Sequence, residues 1–405
     1  HRYFGESVPK LQGVRNCLAY CTSQQALADH AMLAIHIRAT WKVPDAPVIA
    51  FGGSYGGMLA AWARIKYPNV FAGSIAASAP LWGYPLLDPP VDGASRSITR
   101  AASAEGGAAA SCKTNIFNAY PLMFDIGKTK EGLKYISEKF GLCKPLETQA
   151  DLEAFIQYAQ APWFLLAEGD YPFASTYITY AVQSVDVPLP PWAMRVACKH
   201  LDRDDLFGVK TLGNPENVTF SLQTGHMEVQ VEWDQTSNNK YTMADVDATE
   251  IGDLFSGFKE AIGVWYNVTG KLQCFDGSAE VAKATPPSPK KKKAPAPGTD
   301  GVCTGEGLKG NAAYWDVICC NENLNLVNTV VQGIGNDMYW PPNVPRNWTM
   351  ETVVEMSGAY LYGCNEQFAA DGLYGVPNTH DPWALWDTTY YGGKDITRTA
   401  SNIVF

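Results

Sequence analysis

Apolar positions in this chain fall into two kinds of pattern: stretches at helical spacing and short unbroken runs bounded by turn residues. Residues 24–41 (QQALADHAMLAIHIRATW) space their apolar side chains as an amphipathic helix does. The run Pro47-Val48-Ile49-Ala50-Phe51 has the length of a fully buried strand, and Met58 to Tyr67 is rich in helix formers and stops at Pro68. A second buried strand, residues 73–79 (GSIAASA), is closed by Pro80, and the chain ends in the strand-like residues 401–405 (SNIVF). Helix, strand, turn, helix and strand in this order predict an α/β fold. The strand at 47–53 is expected at the centre of a mostly parallel sheet, beside 73–79, with 401–405 in the same sheet.

From about Leu81 to Ala282 this alternation gives way to helical patches, to Pro-rich corners such as residues 187–192 (VPLPPW), and to a polar stretch around 214–245. That change predicts an inserted, mainly helical domain. Residues 283–301 (KATPPSPKKKKAPAPGTDG) are rich in Pro and Lys without apolar periodicity, hence an extended solvated loop or linker. The expected organisation is therefore an α/β core over 1–80, an insertion over 81–282, the linker, and a return to the core over 302–405.

Between the first strand and its helix stands Gly52-Gly53-Ser54-Tyr55-Gly56, a G-x-S-x-G pattern. Small residues let the chain turn sharply there and leave the serine strained with its hydroxyl above the sheet edge. The backbone N–H of Tyr55, at the start of the helix, would face the oxygen that turns negative when Ser54 attacks a carbonyl.

Composition narrows the classes. With 405 residues, 46% hydrophobic, the chain can bury a large core. A formal net charge of -10 and a pI near 5.1 argue against nucleic acid as a partner and suit an acidic compartment. No apolar stretch approaches the length of a membrane span. Ten cysteines lie scattered without the paired C-x-x-C spacing of zinc sites, and sequons stand at Asn217, Asn267 and Asn347. Together they indicate an oxidising secretory route with glycosylation at those asparagines, while disulfide connectivity stays open.

The runs HRYFGESVP (1–9), SQQALADHA (23–31), FGGSYGGMLAAWARIKYP (51–68) and SIAASAPLW (74–82) resemble the prolyl serine peptidases, the family typified by lysosomal Pro-X carboxypeptidase, dipeptidyl-peptidase II and thymus-specific serine protease. GDYPF (169–173), PLPPWAMRVAC (188–198), WDVICCNE (315–322) and YGGKDITRTASNIVF (391–405) follow in the family's order, so the resemblance covers nearly the whole chain. It implies an α/β-hydrolase core interrupted by a mainly helical cap domain. It also implies a serine exopeptidase, lysosomal, vacuolar or secreted, that cleaves short peptides after proline near a terminus, with Ser54 as nucleophile. No metal or other cofactor is implied, the partners are short proline-containing peptides, and a homodimer is compatible. Glu322 is a candidate contact for a substrate amine; whether the mode is carboxypeptidase or dipeptidyl-peptidase stays open.

In the resemblance the triad Asp and His follow the strand that here reads SNIVF, and the first sheet strands precede His1. The chain is thus expected to carry the nucleophile and cap as a fragment without its acid and base, and to be inactive by itself. His380-Asp381-Pro382-Trp383 imitates the family's D-P-W, yet it lies upstream of residues 391–405 where the family's lies downstream, so Asp381 is set aside as triad acid. His30 and His36 ride the first helix, His200 follows Cys198, and His226 sits in the polar stretch. None comes from a segment that would naturally return to Ser54. Two other classes stay open, a generic esterase or lipase sharing G-x-S-x-G and a non-catalytic binding protein on the same fold.

Overall fold

A computed structural model describes residues 1–7, 20–83, 90–203, 215–223, 226–233, 240–277, 315, 318–319, 322, 331–345, 347–357 and 390–405. In chain order, α1 (Ser23–Trp41), β1 (Val48–Gly53), α2 (Tyr55–Lys66) and β2 (Phe71–Ala77) come first. Next are α3 (Gly93–Ala101), α4 (Cys112–Ile126), α5 (Lys130–Phe140), α6 (Gln149–Glu168), α7 (Tyr177–Gln183) and α8 (Ala193–Lys199). Strands β3 (Pro215–Gln223), β4 (His226–Trp233) and β5 (Lys240–Asp247) precede α9 (Ala248–Tyr266). Helices α10 (Met350–Ser357) and α11 (Ile396–Thr399) and strand β6 (Ile403–Val404) close the order. The chain is helix-rich with a small parallel sheet and divides into two compact units.

The first unit holds α1 to β2 and, among the later described residues, Trp315, Ile318, Cys319, Glu322, 347–357 and 390–405. Thr22 caps α1 by accepting from the N–H of Gln25 at 3.2 Å, and Lys42 in the left-handed region ends it. The expected helix buries one face at helical spacing, but that face is narrow. The buried stripe is small, Ser23, Ala26, Leu27, Ala31 and Ala34, while Met32, Leu33 and Trp41 are exposed. Small side chains bring α1 close to α2, and apolar residues fill the other side as well.

β1 pairs with β2 in parallel, Ile49 opposite Gly73 and Phe51 opposite Ile75, and β2 pairs in parallel with β6 through Ser74–Ile403 and Ile75–Val404. The order is β1-β2-β6, so among the described strands β2 rather than β1 is central. β1 is not the fully buried strand expected from its apolar run: its side chains alternate between the two faces, and on the face carrying Ile49 and Phe51, 45% and 73% exposed, the described residues leave them uncovered. The core of this unit gathers Leu27, Met58, Trp62, Phe71 and Tyr391.

The second unit runs from Asp92 through the described residues to 277 and takes in Val331–Pro345. That last segment departs from the expected return to the core after 302. Its backbone is stitched to the helices, Ser95 Oγ donating to the Val331 carbonyl at 3.0 Å and Gln160 Nε2 to that of Trp340 at 2.7 Å, and Met338 and Tyr339 enter the helical core. Phe140, Phe155, Trp163 and Phe258 form the centre of that core, with Trp163 Nε1 donating to the Tyr120 hydroxyl at 2.8 Å. A capping box of Thr148 and Asp151 starts α6. The stretch read as polar is an antiparallel sheet, β3-β4-β5, since its apolar residues alternate with polar ones.

Disulfides Cys112–Cys198 and Cys143–Cys274 staple this unit and place the chain on an oxidising route. No described helix is long and apolar enough to cross a membrane.

Candidate active site

The turn from β1 into α2 is built by close approaches that only glycine permits. A Cβ at Gly52 would stand 1.9 Å from the carbonyl oxygen of Gly56, and one at Gly57 would stand 2.8 Å from that of Ala77 on β2. Between them Ser54 adopts φ 54° and ψ -123°, a backbone conformation that L-residues avoid. Two hydrogen bonds hold it there: its N–H donates to the Ala77 carbonyl at 3.0 Å, and its carbonyl accepts from the N–H of Met58 at 3.0 Å. Ser54 itself is exposed, and among the described residues its hydroxyl has no hydrogen-bond partner.

Tyr55 is the first residue of α2, so its N–H belongs to the first helical turn and has no acceptor within the helix. That N–H and the helix's positive end lie beside the serine. The Tyr55 side chain turns inward. Its ring meets Trp315 edge-on at 5.1 Å between centroids, and its hydroxyl lies 3.4 Å from His1 Nε2. Burial raises that hydroxyl well above its ordinary range, and nearby Glu322 adds to the shift.

Glu322 lies inside the unit, 1% exposed, with Oε1 accepting from the backbone N–H of Ser23. The sequence offered Glu322 as a contact for a substrate amine; here its carboxyl is buried. Burial pushes it up to about 7, against the lowering effect of hydrogen bonds from Ser23. Ser23 Oγ sits 2.7 Å from the Tyr391 hydroxyl, and the Tyr391 ring stacks on Trp62 at 3.9 Å and 7°. This connected set is invisible in the sequence because its members are scattered and no local pattern marks a buried glutamate.

The histidines are placed as follows. His30 is half-buried on α1, where burial lowers its pKa; His36 is exposed beside Thr40; and His200 ends α8 at the surface of the second unit. His226 lies on β4, and His380 and Asp381 lie outside the described residues. Of the sequon asparagines, Asn347 is exposed, and Asn267 is half-buried with Oδ1 accepting from Leu272 N–H at 2.8 Å. Asn217 lies on β3. Among the described residues no cluster of acids, histidines and cysteines could hold a metal ion.

The model of the family "Serine carboxypeptidase S28" matches residues 1–204. Lysosomal Pro-X carboxypeptidase of Homo sapiens is 30% identical over 412 aligned residues, covering 100% of this chain and 61% of that protein. The Mus musculus carboxypeptidase of the same name is 34% identical over 411, covering 100% of this chain and 62% of the relative. A Caenorhabditis elegans protein, "Prolyl carboxy peptidase like protein 5", is 34% identical over 209 residues, 49% of this chain and 38% of its own length. The chain thus spans about 61% of the length of the human carboxypeptidase it matches. With the family model covering half of the chain and a strained Gly-Ser-Tyr-Gly turn between a parallel strand and its helix, this chain belongs to the serine carboxypeptidase S28 family.

Proposed function

We propose that the protein is a serine-type exopeptidase that cleaves short peptides after proline near a terminus. The observation that carries this reading is Ser54 in its strained turn at the mouth of a helix, in a chain of this family. The serine oxygen attacks the carbonyl carbon of the proline residue while a general base takes the hydroxyl proton. The Tyr55 N–H donates to the oxygen that becomes negative. Collapse breaks the C–N bond, the amine leaves with a proton, and water then hydrolyses the acyl-serine. The fold is an α/β-hydrolase core, and the helical unit is the family's cap, which restricts substrates to short peptides. Lysosomal or secreted placement is supported by the lysosomal carboxypeptidase relatives, the two disulfides and the acidic charge balance, and glycosylation is proposed at Asn217, Asn267 and Asn347.

The test is turnover at mildly acidic pH of an N-blocked peptide ending in Pro-X and of an X-Pro dipeptide amide, with Ser54→Ala as control. Cleavage of either substrate, abolished by the substitution, supports the reading and tells which terminus is recognised. Hydrolysis of simple esters with neither peptide cut would replace it with an esterase.

A further inference from the structure

Among the described residues Glu322 is the buried acid of the Ser54 unit, and the reaction just proposed leaves it without a task. Its contacts lead to the elbow. Oε1 binds the N–H of Ser23 at the start of α1; Ser23 Oγ meets the Tyr391 hydroxyl; Tyr391 stacks on Trp62; and Trp62 belongs to α2, the helix that begins at Tyr55. The charge of Glu322 adds to the burial that raises the Tyr55 hydroxyl. The second carboxyl oxygen, Oε2, is buried and has no hydrogen-bond partner among the described residues.

An ionised carboxylate with one unpaired oxygen in such surroundings is costly, whereas a neutral carboxyl keeps the Ser23 contact at a far smaller desolvation penalty. The titratable groups coupled to it are Tyr55 of α2 and Cys21 before α1, and the Tyr391 hydroxyl lies one hydrogen bond beyond Ser23. Burial raises the Tyr55 hydroxyl and pushes the Cys21 thiol up to about 12, so both stay neutral. Among the described residues no cation offsets a charge on Glu322.

We propose that Glu322 is a positioning residue for Ser54: its neutral carboxyl ties α1 to the aromatic packing of α2 that supports the elbow, and its ionisation loosens that support. Ser54 then loses reactivity on the alkaline side through a group that never touches substrate. The inference rests on Ser54 being the nucleophile proposed above.

The experiment measures the rate at which a fluorophosphonate modifies Ser54 between roughly pH 5 and 8.5 in the protein, in Glu322→Gln and in Glu322→Ala. Glutamine copies the neutral carboxyl. The expected result is a Gln variant within about threefold of the parent at the acidic end and several-fold ahead at the alkaline end, with the Ala variant at least about tenfold slower at the acidic end. A Gln profile parallel to the parent's, or a Gln variant as impaired as Ala, would overturn the proposal. Melting curves in a Ser54→Ala background give a second, independent reading. There the fall of Tm from acidic to alkaline pH should be smaller with Glu322→Gln, and an unchanged fall would sink the idea even if the serine never reacts. Absence of modification in every form, by contrast, would count against the peptidase reading and leave the melting curves to decide on Glu322.

Discussion

The helical unit closes its core around Phe140, Phe155, Trp163 and Phe258 and locks it with two disulfides, whereas the Ser54 unit holds its strained turn by noncovalent contacts among the described residues. It also leaves Met32, Trp41 and Phe51 at 65%, 72% and 73% exposure. The contrast separates two requirements. A unit that only has to keep its shape can be cross-linked and filled, but a reactive serine needs a backbone strained at one residue and a surround that fixes that residue alone. Here the fixing is done by two hydrogen bonds to Ser54, two glycines without room for a side chain, and the Trp62–Tyr391 stack behind the helix.

Substituting the serine should produce the largest effect and the most local one. In a protein that also supplies the general base, Ser54→Ala is expected to lower prolyl-peptide turnover by on the order of 10^6-fold, because the acyl intermediate forms on Ser54. Melting should barely move, because alanine keeps the Cβ and with it the strain at φ 54°. A Ser54→Ala protein that still turns over peptide, measured by product chromatography, would place the nucleophile elsewhere.

Next in size is the loss of a staple. Replacing Cys112 and Cys198 together by Ala opens a bridge spanning 86 residues, which loop-closure entropy values at about 4.5 kcal/mol. Hydrogen exchange followed segment by segment should show faster opening of α4 and α8 and little change in β1 and α2. Equal loosening of the serine turn would mean that the two units share stability, contrary to the comparison.

The pH response should divide in the same way. Glu322 is raised from 4.5 to about 7, so the folded state holds its proton where the unfolded chain releases it. The stability this contributes is fully present below about pH 4.5 and is lost as pH climbs through about 7, a change on the order of 3 kcal/mol. In the helical unit the same sign is spread over Asp125, Glu168, Asp170 and Asp337, each raised by burial. Glu322→Gln should therefore flatten the pH dependence of exchange in α1 and α2 while leaving that of α4 and α6 steep. Flattening in both, or in neither, would contradict this assignment.

A cap substitution gives the smallest effect. Thr148→Ala removes the acceptor for the Asp151 N–H and one half of the capping box, and should lower stability by about 1 kcal/mol. Chemical denaturation resolves a change of that size, and an unaltered midpoint would show that the first turn of α6 frays in the native state.

How much of this is legible in the sequence depends on how local the cause is. The serine turn can be read directly, because Gly52 meets the Gly56 carbonyl within a few residues and the G-x-S-x-G pattern marks it, although Gly57 answers to Ala77 on β2; α2 follows from its composition. Sheet order cannot, since nothing in residues 47–53 says which of two strands will be flanked on both sides. The strands between Pro215 and Asp247 could have been found: Val218, Phe220 and Leu222, then Met227, Val229 and Val231, alternate with polar residues, although average polarity hides it. The Glu322 network had no such signal, because Ser23, Trp62, Glu322 and Tyr391 come together only in three dimensions.

The two bridges of the helical unit interleave along the chain, Cys143 falling inside the span of Cys112–Cys198 and Cys198 inside that of Cys143–Cys274. Consider a protease that cuts the unit once. A nick before Cys143 leaves its ends joined by the first bridge, one after Cys198 leaves them joined by the second, and one in between leaves both in place. Every single cut from Cys112 to Cys274 thus yields two polypeptides that remain one covalent body, and dissociation requires a second cut or a reductant. For a chain on an oxidising route, that ordering of four cysteines converts most early proteolytic damage into a nick the fold can outlast.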